Sequence, residues 1–155
     1  MTTFDYAARM NRARAEMAAR GVDVLLASLG SELPYLTGYE AMPLERLTMA
    51  VIPRSGDAVL VVPELEAPRV GAIPGVFRIQ PWSETEDVIS IVTRLVGDAA
   101  VAMIGDHTWS VFLLALQEAL PQTKFQSARP VTEALRVVKE PAEIDLLRRA
   151  GASAD

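Results

Sequence analysis

Apolar positions recur along this chain with two periods, and the places where the period changes divide it into elements. Over residues 3–20, Tyr6, Met10, Ala13 and Met17 recur at helical spacing, Arg9, Arg12, Arg14 and Arg20 fall mostly off that stripe, and Gly21 ends it. The run V-D-V-L-L-A at 22–27 follows and reads as a central strand buried on both faces. Gly30, Pro34 and Gly38 then break the pattern, with Ser31 placed to cap one helical turn before Tyr35-Leu36. Two β-rich runs, 47–53 and 57–63, are joined by Arg54-Ser55-Gly56, which predicts a hairpin. A short helix is expected over 64–72 despite Pro68, then a half-exposed strand over 76–81.

The second half alternates. Ser83-Glu84-Thr85-Glu86 has capping-box spacing, and Val88, Ile91, Val92, Leu95 and Val96 form the apolar face behind it. Residues 99–105, A-A-V-A-M-I-G, make the most buried-looking strand. Asp106 or Thr108 is placed to cap a helix carrying Trp109, Phe112, Leu113, Leu116 and Leu120, which Pro121 stops. A last strand at 124–127 and a helix at 130–138 follow. The order predicts an α/β fold of three layers, with helices on both faces of a mixed sheet.

The closing residues have their own signature. Pro141 suits a first helical position, Glu143 and Asp145 complement the positive end of the helix dipole, and Ile144, Leu147 and Ala150 mark an apolar stripe. No stop signal follows, so the pattern predicts a chain cut inside a longer protein, with Lys139-Glu140-Pro141 as the joint.

Composition narrows the function. The 155 residues suit one domain, half of them apolar, with a net charge of −5 that disfavours a nucleic-acid surface. Cysteine is absent, which removes disulfides and thiolate zinc sites; no signal peptide or membrane-length apolar run is seen, so a cytoplasmic location is expected. No phosphate-binding loop is present, and His107 is the sole histidine. Asp106-His107 follows a strand end, where α/β folds bind ligands, but a solvated loop beside a helix cap explains it as well. The groups Glu64 with Glu66, and Glu84 and Glu86 with Asp87, would suit a divalent cation, yet each falls at a helix start where the dipole accounts for it. Trp109 is expected in the core or as a staple, and Trp82 at the core edge. The loop at 38–46 mixes Tyr39, Met42 and Leu44 with charges and has no apolar period, which ordinary loop packing explains and which would also suit a contact surface.

Two stretches carry a resemblance. Ser31-x-x-Pro34-Tyr35-Leu36-Thr37-Gly38-Tyr39 resembles the Y-L-T-G-aromatic signature of the N-terminal domain of creatinase, prolidase and aminopeptidase P. The closing Leu135-Arg136-x-x-Lys139-x-Pro141-x-Glu143-Ile144-x-x-Leu147-Arg148-x-Ala150 resembles the segment that joins this domain to the family's catalytic half. The resemblance implies a ribonuclease H-like mixed sheet of about six strands, a domain over 1–138, and a linker with the start of a C-terminal catalytic domain over 139–155. It implies a parent Xaa-Pro dipeptidase or related peptidase, dimeric, acting on proline-containing dipeptides or peptides. Two divalent metals (manganese, cobalt or zinc) would be held in the pita-bread catalytic domain by two Asp, one His and two Glu, none of which is placed here. By position, the substrate-gating loop of such a dimer corresponds to 39–46, with Tyr39, Glu40 and Arg46 as candidates. A protein-binding module from the family's non-enzymatic branch remains the alternative, and a small-molecule-binding domain using Asp106 and His107 a third. The resemblance does not separate dipeptidase, aminopeptidase and creatinase-like activities.

Overall fold

A computed structural model describes residues 4–153. Helix α1 (Tyr6–Ala19) opens on Asp5, whose carboxylate accepts the Ala8 N–H at 2.8 Å. Thr3, expected inside this helix, lies outside the described residues. Strand β1 (Val24–Ala27), helix α2 (Glu32–Thr37) and the hairpin β2 (Met49–Pro53) with β3 (Ala58–Pro63) follow. Then come β4 (Phe77–Trp82), α3 (Val88–Val96), β5 (Val101–Ile104), α4 (Ser110–Ala119), β6 (Lys124–Ser127), α5 (Arg129–Val137) and α6 (Pro141–Ala152).

One six-stranded sheet runs β4-β3-β2-β1-β5-β6. The pairs β1–β2 and β2–β3 are antiparallel, while β3–β4, β1–β5 and β5–β6 are parallel, so the sheet is mixed as expected. Strand alternation sends residues to opposite faces. Leu25, Ile52, Leu60 and Met103 pack under α1, α2 and α5, against Met10, Met17, Leu36 and Val131. Leu26, Val51, Val61 and Ile104 pack under α3 and α4, against Ile91, Val92 and Leu116. The three layers follow directly from that alternation. Pro81 sits in β4, an edge strand, where a missing N–H is tolerated.

Several local expectations are corrected. The helix expected over 64–72 is a single 3-10 turn, Ala67–Arg69, because the stretch has no apolar stripe to bury and Pro68 cannot donate. Only half of the Ser83–Glu86 box forms: the Ser83 N–H reaches the Glu86 carboxylate at 2.7 Å. The helix itself starts later, capped by Asp87, which accepts the Ile89 N–H at 3.0 Å and the Ser90 hydroxyl at 2.6 Å. Neither Asp106 nor Thr108 caps α4, whose N-cap is Trp109. That indole is partly exposed and stacks on Phe112 instead of entering the core. The most buried strands are β1 and β3, buried at every residue, whereas β5 begins half-buried at Val101, beside the short edge strand β6. Arg9, placed off the apolar stripe of α1, is 2% exposed.

Candidate functional site

The site begins with why the chain turns at Gly38. Leu36 is core. The Tyr35 hydroxyl donates to the Leu135 carbonyl at 2.9 Å, and Thr37 donates to the Leu33 carbonyl at 2.7 Å while accepting the Tyr39 N–H at 3.2 Å. Gly38 caps α2 with φ of +74°, and a Cβ there would meet the Tyr6 ring at 2.8 Å. The Y-L-T-G residues therefore fold α2 down onto α1 and α5 and launch the loop at Tyr39.

That loop is tied down at both ends. The Tyr39 hydroxyl donates to Glu66 at 2.9 Å, and Glu66 is 6% exposed. At the far end Arg46 pairs with Glu84, and the next residue, buried Leu47, accepts the Trp82 indole N–H at 2.9 Å. Between them Met42 and Leu44 are exposed, with the Met42 sulfur 3.7 Å from the Arg69 guanidinium, and Glu40 faces solvent. Beside the loop's exit, at the C-terminal ends of parallel β3 and β4, lies a cleft of about 280 Å³ lined by Arg46, Glu64, Leu65, Trp82 and Glu84. Tyr39, Glu40 and Arg46 thus share one tethered loop without converging on a point.

Burial, and then the bond to Glu66, push the Tyr39 phenol up to about 12. The sign follows: this contact's stabilisation is complete below the unfolded tyrosine value of about 10 and is lost as pH rises through about 12. Ultraviolet titration should show one phenol ionising near 12 that disappears in Tyr39→Phe; an unchanged titration curve in that variant would contradict the assignment.

The carboxylate groups separate on folding. Glu64 lines the cleft while Glu66 holds Tyr39; Glu84 holds Arg46, Glu86 the Ser83 N–H, and Asp87 the start of α3. Helix-dipole placement thus explains Asp87 alone. The partners of Glu66 and Glu84 are not encoded in any local spacing, because they lie 27 and 38 positions away. Asp106 and His107 also part company. Asp106 accepts from the Ser127 hydroxyl at 2.6 Å, in a separate cleft with Thr108 and Gln117. His107, 61% exposed, leans the other way, its Nδ1 3.8 Å from Glu32. Among the described residues no three His, Asp or Glu side chains gather to hold a metal ion. No described helix is long and apolar enough to cross a membrane.

Comparison with known proteins bears on this arrangement. Residues 9–138 match the model of the creatinase/prolidase N-terminal domain. The chain is 36% identical over 154 residues to "Probable dipeptidase PepE" of Mycobacterium tuberculosis, covering 97% of this chain and 41% of that protein. It therefore spans about two fifths of the length of such relatives. The crystal structure of dipeptidase PepE from Mycobacterium ulcerans superposes with a TM-score of 0.85 at 34% identity, covering 96% of this chain and 42% of that one. The creatinase/prolidase N-terminal domain of an X-Pro dipeptidase from Streptococcus pyogenes shares the fold, with a TM-score of 0.68 at 22% identity over 77% of this chain and 98% of that one. The matched span holds the whole sheet, most of α1 and all of α2 to α5, and the chain belongs to the creatinase/prolidase N-terminal domain family.

Proposed function

We propose that this chain is the non-catalytic N-terminal domain of a metal-dependent Xaa-Pro peptidase of the prolidase kind, serving dimerisation and substrate gating. Residues 1–138 form the domain, and 139–155 lead into a C-terminal catalytic domain that hydrolyses the peptide bond before proline. Two divalent metals, manganese, cobalt or zinc, belong to that second domain.

The observation that carries this reading is the tethered loop at 39–46. Its Tyr39–Glu66 and Arg46–Glu84 contacts hold a projecting surface that combines exposed Met42 and Leu44 with the charges of Glu40 and Arg46. Such a surface can bound a pocket and select by size and charge, and a loop held at both ends loses less entropy when it closes. In the dimer it lies over the partner subunit's active site, with Tyr39, Glu40 and Arg46 limiting substrate length. Helix α6 supports the second half of the reading. None of its residues is buried, and Ile144, Leu146 and Leu147 offer an apolar surface for the catalytic domain.

The purified 155-residue chain, supplied with manganese or cobalt, should hydrolyse no Xaa-Pro dipeptide. Turnover that follows the domain through purification would overturn the assignment. A protein-binding role would instead predict a following domain that lacks the Asp, Asp, His, Glu and Glu ligands.

A further inference from the structure

Helix α6 has no buried residue, and the two residues that follow or end α5, Val137 and Val138, are themselves exposed. Apolar packing therefore does not fix how the chain leaves the domain. What does fix it is polar and sits at the first turn of α6. The Arg9 guanidinium lies 4.1 Å from the Phe4 ring and 4.1 Å from the Tyr35 ring, and donates from Nη1 to the Tyr35 carbonyl at 3.1 Å. Its Nε and Nη2 both reach Glu140, at 3.2 and 2.9 Å, and Nη2 stands 3.3 Å from Glu143. Arg12 bonds Glu140 as well and the Tyr35 hydroxyl at 3.1 Å, while the Glu143 carboxylate accepts the Glu140 N–H at 2.9 Å.

The placement of the charges is the telling part. Arg9 lies inside the matched domain, but both carboxylates paired with it, Glu140 and Glu143, lie beyond its end at 138. A buried guanidinium is costly until its counter-charges are in place. A planar fork engaged through two nitrogens also fixes direction as well as distance, which a lysine would not. We infer that Arg9, with Arg12, is a positioning residue that completes its charge balance with Glu140 and Glu143 and so sets the direction in which α6 leaves the domain. Segment 139–143 is then part of the domain's electrostatic structure, and whatever follows α6 is carried at a set angle. The clamp stands independently of the proposed catalytic partner; only its consequence for catalysis rests on that reading.

Arg9 first, then Arg12, hold the Glu140 carboxyl below the usual carboxylate range, opposed by burial. Its contribution is therefore complete above the unfolded value of about 4.3 and is lost as pH falls through the lower folded value. Acid should release α6 by protonating Glu140, which faces Arg9, Arg12 and Glu143.

The chain has no cysteine, so spin labels can be placed at Glu118→Cys on α4 and Arg148→Cys on α6. Pulsed EPR should give one narrow distance distribution in the otherwise unaltered chain. Glu140→Gln with Glu143→Gln should broaden it at least twofold while the unfolding transition of the sheet persists. Should that variant leave Arg9 too poorly compensated to fold, Arg9→Leu combined with both substitutions removes the charge along with its partners, and the same broadening is expected. A distribution already broad in the unaltered chain, or one that stays narrow in whichever variant folds, overturns the inference. Neither result depends on whether a catalytic domain follows.

Discussion

Leu25→Ala should destabilise the domain by about 3 kcal/mol, seen as a lower urea midpoint at an unchanged slope. Leu25 is fully buried in β1, opposite Ile52 of β2 and Met103 of β5, and lies in the layer covered by α1, α2 and α5. Removing it leaves a cavity that the flanking strands cannot close, since their hydrogen-bonded register holds them in place. Leu114→Ala, on the outer face of α4 at 63% exposure, should shift stability by no more than about 0.5 kcal/mol. Equal effects from the two substitutions would mean that the core is not where the sheet puts it.

Gly38→Ala should cost about 2 kcal/mol, more than Gly56→Ala at about 1. Both glycines have positive φ, +74° and +93°, so both substitutions meet the same backbone penalty. Only at Gly38 does the new Cβ also strike a neighbour, the Tyr6 ring at 2.8 Å; around Gly56 nothing lies within 4 Å. Thermal unfolding of the two variants compares them directly. A Gly38→Ala midpoint no lower than that of Gly56→Ala would show that Tyr6 moves aside freely. Because Tyr39 follows at once, the Gly38 variant should also weaken the high-pH phenol titration of Tyr39.

Most of the fold was legible because it is written in local periods. The stripe of Met10, Ala13 and Met17 specifies the buried face of α1, and the unbroken apolar run Val24–Ala27 specifies a strand buried on both faces, without reference to anything distant. The turn at Gly38 was legible for the same reason. What local spacing cannot show is a partner far along the chain. Arg9 reads as a surface residue until Glu140 and Glu143, more than 130 positions later, surround it. Glu66 and Glu84 read as helix-start acids until Tyr39 and Arg46 reach them. Trp109 misled in the opposite direction, since its size suggests core while its position, just before Ser110, puts it at the rim of α4. At the site itself, the loop's exposed mixture of side chains was visible in advance, whereas the two tethers that shape it were not.

The proposed gating role is tested most directly in a protein that joins this domain to the proposed C-terminal catalytic domain. Glu40 and Arg46 are both exposed, and Arg46 makes only a surface ion pair, so Glu40→Ala with Arg46→Ala should leave the fold intact. The measurement is kcat/KM for an Xaa-Pro dipeptide against that for a longer peptide with the same Xaa-Pro start, at equal metal content. Gating by this loop predicts that the preference for the dipeptide falls about tenfold, a loss of about 1.4 kcal/mol of discrimination, while dipeptide kcat stays within about twofold. An unchanged preference for length, with the variant folded and metal-loaded, would contradict it.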